Sequence, residues 1–204
     1  MFANRTEAGA RLAGVLRRRG VEADVVLAVP RGGLPVGRAV ADALDRPLDV
    51  IVARKLGAPS NAEVAIGAVA PDGSLWRNDD LIARLDVEES YVEEERGRQA
   101  AAAREKRERY RGPDLDLSGR TALIVDDGIA TGATMTACVR AAYAAGAARV
   151  VVAAPVASPR AVEALESEAD AVVAVEAPEA FGAVGRHYRS FQQVSDEEAL
   201  SYLE

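Results

Sequence analysis

The stretch "ALIVDDGIATGAT", residues 122–134, sets two adjacent carboxylates, Asp126 and Asp127, directly ahead of a loop of small and hydroxylated residues. In that loop Gly128, Ala130, Gly132 and Ala133 let backbone N–H groups wrap an anion, and Thr131 and Thr134 add hydroxyl donors. A helical pattern starts at Gly132, so the positive end of a helix dipole faces the same spot. Carboxylates repel phosphate. Asp126 and Asp127 are therefore suited to vicinal sugar hydroxyls, or to a divalent cation held directly or through water. A phosphorylated sugar satisfies both halves. The plain alternative is a strand that ends in a polar turn with a helix cap.

A second stretch, "AVPRGGLPVG", offers Arg31 for bidentate pairing with an anion, and Gly32 and Gly33 for close approach of the backbone. It lacks the G-x-G-x-x-G spacing of a dinucleotide site, and alone it also reads as an ordinary strand-to-helix turn. In "ARKLG", Lys55 runs against the chain's habit, because 23 of its 25 basic residues are arginine and only Lys55 and Lys106 are lysine. A compact ammonium suits an anion reached from one side, although a solvated strand-end charge is the bland reading. Glu63 can meet a cation or a ring, or be a solvated loop acid. Phe181 and Tyr188 can stack a flat base, with core packing as the equal alternative. Trp76 and Cys138 read as packing residues. His187, the single histidine, has no Cys or Ser partner nearby that would make a metal site or a hydrolytic triad.

Five Val-rich runs must position these residues: "DVVLAV" from Asp24, "LDVIVA" from Leu48, "TALIV" from Thr121, "ARVVVAA" from Ala148 and "DAVVAV" from Asp170. Continuous apolarity marks strands covered on both faces, as in a parallel sheet. Helical stretches at Pro35–Leu44, Gly132–Ala145 and Pro159–Glu166 alternate with them. The pattern predicts a doubly wound α/β fold, a mostly parallel five-stranded sheet with helices on both faces, in a single domain over residues 1–204. Asn4 stands three residues ahead of Glu7 and caps an N-terminal helix ending at Gly20. Residues 57–112 form an insertion: a β-hairpin from Glu63 to Arg77 turning at Pro71-Asp72-Gly73, then a long exposed helix capped by Asp86 and stopped at Gly112-Pro113. Residues 176–204 form a C-terminal hood over the sheet edge, with a last short helix capped by Ser195 or Asp196.

In an open parallel sheet, ligands bind beyond the carboxyl ends of the strands, where Asp126 and Asp127 fall. The net charge of −7 argues against nucleic-acid or anionic-membrane partners, and no apolar run is long enough to cross a bilayer. The N-terminus shows no secretory pattern and Cys138 has no disulfide partner, so a reducing cytoplasm is expected.

The 122–134 stretch resembles the signature of the type I phosphoribosyltransferases: an apolar strand, two acids, two usually apolar residues, and a threonine-glycine loop. In that family the acids hold the ribose hydroxyls of phosphoribosyl pyrophosphate and the loop holds its 5-phosphate. Asp126 and Asp127 match the acids, and Thr131, Gly132, Ala133 and Thr134 the loop. Gly128 departs from the usual apolar residue, and Ala130 replaces an acid common in purine-using members, which disfavours a 6-oxopurine acceptor. The Arg31-Gly32-Gly33 turn is similar to the family's pyrophosphate loop, and Lys55 to a lysine placed after its strand. The hairpin takes the place of the mobile loop that closes over substrate. Stretches including "KLGAPSNAEVAIGAV" and "AVGRHYRSFQQVSDEE" look like a subgroup of unsettled substrate. The resemblance implies a Mg²⁺-dependent transferase of nucleotide metabolism that moves ribose 5-phosphate from phosphoribosyl pyrophosphate to a nucleobase-like nitrogen, working as a homodimer. The competing readings are a non-catalytic sensor of the same donor and, from another class, an aspartate-based phosphatase or phosphorelay receiver. The last needs a further acid that "GIATGAT" lacks.

Overall fold

The computed structural model describes residues 1–110 and 116–204, with the backbone alone at Glu63. The chain opens with α1 (Arg5–Arg18), whose first turn is capped by the Asn4 side chain accepting from the Glu7 amide, as the spacing predicts. Next come β1 (Val25–Ala28), α2 (Gly33–Leu44) and β2 (Leu48–Val50). An inserted unit holds β3 (Arg54–Ala58), β4 (Asn61–Val69), β5 (Leu75–Arg77), α3 (Asp79–Arg84) and α4 (Glu89–Arg109). The chain then resumes alternation through β6 (Thr121–Val125), α5 (Ala133–Ala144), β7 (Arg149–Val156), α6 (Pro159–Glu166) and β8 (Ala171–Glu176). A 3₁₀ turn (Val184–His187) and α7 (Asp196–Ser201) complete it.

The five Val-rich runs form one sheet in the order β2-β1-β6-β7-β8, every neighbour parallel. Their unbroken apolarity follows from two covered faces. Val25, Leu27, Ala122 and Ile124 pack toward α5 and α6 with Met135, Cys138 and Leu165. Val26, Leu123 and Val125 pack the other way, against Leu12 and Leu16 of α1 and Val36 and Val40 of α2.

Topology selects the site. From β1 the chain crosses to β2 on one side, and from β6 to β7 on the other, so the carboxyl ends of β1 and β6 flank a switch point where ligands of such sheets bind. The register pairs Ala28 with Val125, which sets the turn after β1 beside Asp126.

The insertion differs from the expected hairpin. It is a three-stranded antiparallel sheet, β3-β4-β5, turned at Pro71–Gly73 as anticipated but gaining "RKLGA" as its first strand. Lys55 therefore belongs to the small sheet and not to the end of β2. Leu56, Ile66 and Val69 pack with Ile82, Val92 and Ala100, which gives the insertion an apolar cluster of its own beneath a largely exposed α4. Asp86 is not the cap: it takes a left-handed turn at φ 51° between α3 and α4, and Glu88 stands at the N-cap. The Gly112-Pro113 stop lies outside the described residues. Ser195 caps α7, accepting from the Glu198 amide.

Candidate functional site

Asp126 and Asp127 follow the last residue of β6, and the Asp126 carboxylate accepts the Asp127 amide at 2.8 Å. Burial and mutual repulsion push the Asp126 carboxyl well above the usual carboxylate range. Burial also raises Asp127, opposed by a cation that sequence reasoning missed. Arg5, the first residue of α1, sets its Nε 2.7 Å from Asp127 Oδ2, with the two side chains only 12% and 14% exposed. Its Nη1 donates to the Gln192 carbonyl at 2.7 Å, and its guanidinium lies 3.9 Å over the Phe191 ring. The Asp127 carbonyl accepts the Tyr188 hydroxyl at 2.5 Å, so helix α1 and the C-terminal segment together hold this acid.

Beyond the acids the chain passes tightly against Val184 of the C-terminal segment. A Cβ at Gly128 would meet Val184 Cγ1 at 2.4 Å, which accounts for glycine at a position where the related motif carries an apolar side chain. Ser158, the cap of α6, donates its hydroxyl to the Ala130 carbonyl at 2.6 Å and fixes the loop's far side. Gly132 adopts φ 81°, a left-handed conformation that other residues take only under strain, and as the N-cap of α5 it brings no capping side chain, so the Ala133 amide has only a long 3.5 Å bond to the Thr131 hydroxyl oxygen. Ala130, Thr131 and Thr134 are exposed and Ala133 is half-buried beside them. The first amides of a twelve-residue helix thus face an open surface, the arrangement that favours an anion.

The turn after β1 closes on the acids. A Cβ at Gly32 would lie 2.2 Å from Asp127 Oδ2, and one at Gly33 would lie 2.8 Å from the Val125 carbonyl oxygen. Only glycine lets the two loops touch. Arg31 pairs with Asp196 of α7 at 3.3 Å, and the same carboxylate accepts from Arg109 and Tyr110 at 3.0 and 2.8 Å. Lys106 of α4, a second residue that sequence reasoning missed, donates Nζ to the Pro30 carbonyl at 2.7 Å. A cavity of about 520 Å³ is walled by Pro30, Arg31, Arg54, Lys106 and Arg109. A neighbouring one of about 300 Å³ brings together Arg54, Lys55, Lys106 and Thr134, so Lys55 shares a cleft with the start of α5 although the two lie on different sheets.

None of the other described candidates lines either cavity. Phe181 and Tyr188, expected to stack a base, are 8% and 5% exposed and pack with Phe2, Ala8 and Val156. Their rings are core, with Tyr188 against Phe2 and Phe191, and Phe181 against His187, so the stacking role is not carried forward. His187 bonds through Nε2 to the Phe181 carbonyl at 2.9 Å. Trp76 lies under the Arg140 guanidinium, 3.5 Å away. Cys138 is buried, its thiol pushed up to about 12 by desolvation first and then by Asp126. The side chain of Glu63 lies outside the described residues.

No group of three or more His, Cys, Asp or Glu is gathered for a metal among the described residues. Two crowded carboxylates nevertheless fit a hard cation that keeps most of its ligands as water and substrate oxygens, which is the habit of Mg²⁺. Among the described residues, no helix is long and apolar enough to cross a membrane.

A family profile described as the phosphoribosyl transferase domain matches residues 3–188. A Mycobacterium tuberculosis H37Rv protein, provisionally named a phosphoribosyl transferase, is 42% identical over 206 residues, an alignment covering 100% of this chain and 46% of that protein. The chain thus spans about half the length of the curated relatives it matches. A ribose-phosphate pyrophosphokinase of Sulfurisphaera tokodaii is 45% identical over 84 residues, 41% of this chain and 28% of that enzyme. The crystal structure of a Thermus thermophilus protein superposes with a TM-score of 0.91 at 45% identity, over 100% of this chain and 97% of that one.

Proposed function

Given that the chain belongs to the phosphoribosyl transferase family, we propose that it transfers ribose 5-phosphate from phosphoribosyl pyrophosphate to a nitrogen of a nucleobase-like acceptor and releases pyrophosphate. The bond from the anomeric carbon to the pyrophosphate oxygen breaks and its electron pair leaves with the pyrophosphate. The acceptor nitrogen bonds to that carbon and loses its proton. The transition state is sugar-cation-like, as in glycoside hydrolysis, so the protein's work is positioning and charge compensation.

The observation that carries this reading is the contact between two glycine turns at the switch point, where a Cβ on Gly32 would strike Asp127. In the proposed complex Asp126 and Asp127 accept the ring hydroxyls, the amides and hydroxyls of Thr131–Thr134 take the 5-phosphate, and Arg31 and Lys55 face the pyrophosphate. Mg²⁺ would be held by Asp126 and Asp127, directly or through water, and would neutralise charge on the phosphate oxygens. The β4–β5 hairpin is assigned the closing role, since bulk water would otherwise hydrolyse the activated sugar. By its name, the pyrophosphokinase relative handles a ribose phosphate and pyrophosphate, which supports a shared sugar-phosphate site.

The test is pyrophosphate release from phosphoribosyl pyrophosphate, with Mg²⁺ and a panel of pyrimidines, purines and other nitrogen bases. Release dependent on one base supports the transferase. Thermal stabilisation by the donor without release from any base would replace it with the sensor, and no effect of the donor at all would sink both.

A further inference from the structure

The long helix α4 carries one of the chain's two lysines, and no motif accounts for it. Lys106 leaves the helix one turn before its end and reaches 2.7 Å from the Pro30 carbonyl, the residue that opens the Arg31 turn. An ammonium has three N–H donors, so one bond to a carbonyl leaves two for a ligand. Lys106 borders both cavities of the cleft, standing between Arg31 in one and Thr134 in the other.

The charges around it are unevenly engaged. Arg31 and Arg109 pair with Asp196, Arg109 also with Glu105, and Arg98 with Glu95. Lys106 donates instead to a neutral carbonyl, and Arg54, which borders the same two cavities, donates Nε to the Gln99 side-chain oxygen at 2.7 Å. Two cations on neutral acceptors in one polar cleft are charges that an incoming anion would complete. Burial holds the Lys106 amine below its ordinary range, the cost an ammonium bears where water solvates it poorly and which a bound anion would offset.

Resting on the transferase reading above, we propose that Lys106, delivered by the inserted helix, is a catalytic residue that grips the leaving pyrophosphate at the Arg31 turn, with Arg54 beside it. The 5-phosphate is held across the cleft by the Thr131–Thr134 amides. The insertion therefore supplies part of the leaving-group site as well as the cover over it, so α4 must be docked before the bond to pyrophosphate can break.

Two ligands separate this role from simple fastening of α4. Inorganic pyrophosphate should need Lys106, whereas ribose 5-phosphate, which carries no leaving group, should not. Titration calorimetry of the full chain with Mg²⁺ compares both ligands on the wild type, Lys106→Met and Lys106→Arg. One lost charged contact predicts that Lys106→Met weakens pyrophosphate by ~10- to 100-fold, leaves ribose 5-phosphate unchanged, and is largely rescued by Lys106→Arg. Lys106→Gln carries the same comparison if the Met variant does not fold. Unchanged pyrophosphate affinity, or equal weakening of both ligands, overturns the assignment. A wild type that binds neither ligand brings down the transferase reading itself.

Discussion

Gly32→Ala is a sharp test of how the two loops meet. The Gly32 backbone is right-handed, φ −59° and ψ −32°, so a methyl strains nothing and chain entropy alone would favour alanine by about 0.5–1 kcal/mol. Against that, the new Cβ would lie 2.2 Å from Asp127 Oδ2 and 2.8 Å from its Cγ. Asp127 has little room to yield, since Arg5 holds its carboxylate at 2.7 Å and Tyr188 its carbonyl at 2.5 Å. Displacing the carboxylate forfeits a hydrogen bond between charged groups, about 1.5–3 kcal/mol, and crowding adds about 1–3 kcal/mol. After the entropic gain, the net loss is about 2–5 kcal/mol, and a chain of this size should melt roughly 5–15 °C lower. Gly97→Ala is the control: a Cβ there meets nothing within 4 Å in the body of α4, so it should stabilise by about 0.5–1 kcal/mol. Circular-dichroism melts of both variants, with calorimetric titration of phosphoribosyl pyrophosphate, check the pair. A Gly32→Ala protein that melts at or above the wild type and binds the donor equally well would refute the contact between the turns.

Asp127→Asn keeps the side chain's shape but removes the charge facing Arg5; turnover should fall at least ~10-fold while the melting point drops only a few degrees, and steady-state kinetics with saturating Mg²⁺ and donor decide it. Arg5→Gln should destabilise the free protein by about 1.5–3 kcal/mol, because it strands a carboxylate that is 14% exposed, and denaturant titration reads this directly. Tyr110 and Tyr143 are each pushed up to about 12, first by burial and then by hydrogen bonds to Asp196 and Asp170. A hydroxyl whose folded value is raised contributes stability that is complete below its unfolded value, about 10, and is lost as pH climbs toward 12. Melts between pH 9 and 12 should therefore fall more steeply for the wild type than for a Tyr110→Phe/Tyr143→Phe variant, and parallel curves would contradict this.

The main sheet was legible because burial on both faces writes itself as unbroken Val-rich runs, and its helices because caps such as Asn4 and Ser195, and a first-turn proline such as Pro159, are local signals. The strand β3 was hidden because "RKLGA" follows the run "LDVIVA" with no Gly, Pro or other turn residue between them, although the chain leaves the large sheet after Val50 and enters the small one at Arg54. Asp86 is of a type that fits either a cap or a left-handed turn, and only the observed φ of 51° separates them. Phe181 and Tyr188 carry no local mark that distinguishes a stacking ring from a core ring. Arg5 lies 122 positions from Asp127 and Lys106 lies 76 from Pro30, distances at which periodicity is silent. For Lys106 one clue was available: the scarcity of lysine that singled out Lys55 applied to it equally.

The most direct measurement is a crystal structure of the chain with Mg²⁺ and phosphoribosyl pyrophosphate. The donor's 5-phosphate should rest on the main-chain amides at the start of α5, its ring hydroxyls against Asp126 and Asp127, and its pyrophosphate between the Arg31 turn and Lys106. Density for the donor elsewhere, or an Asp126-Asp127 pair facing away from the sugar, would contradict the account.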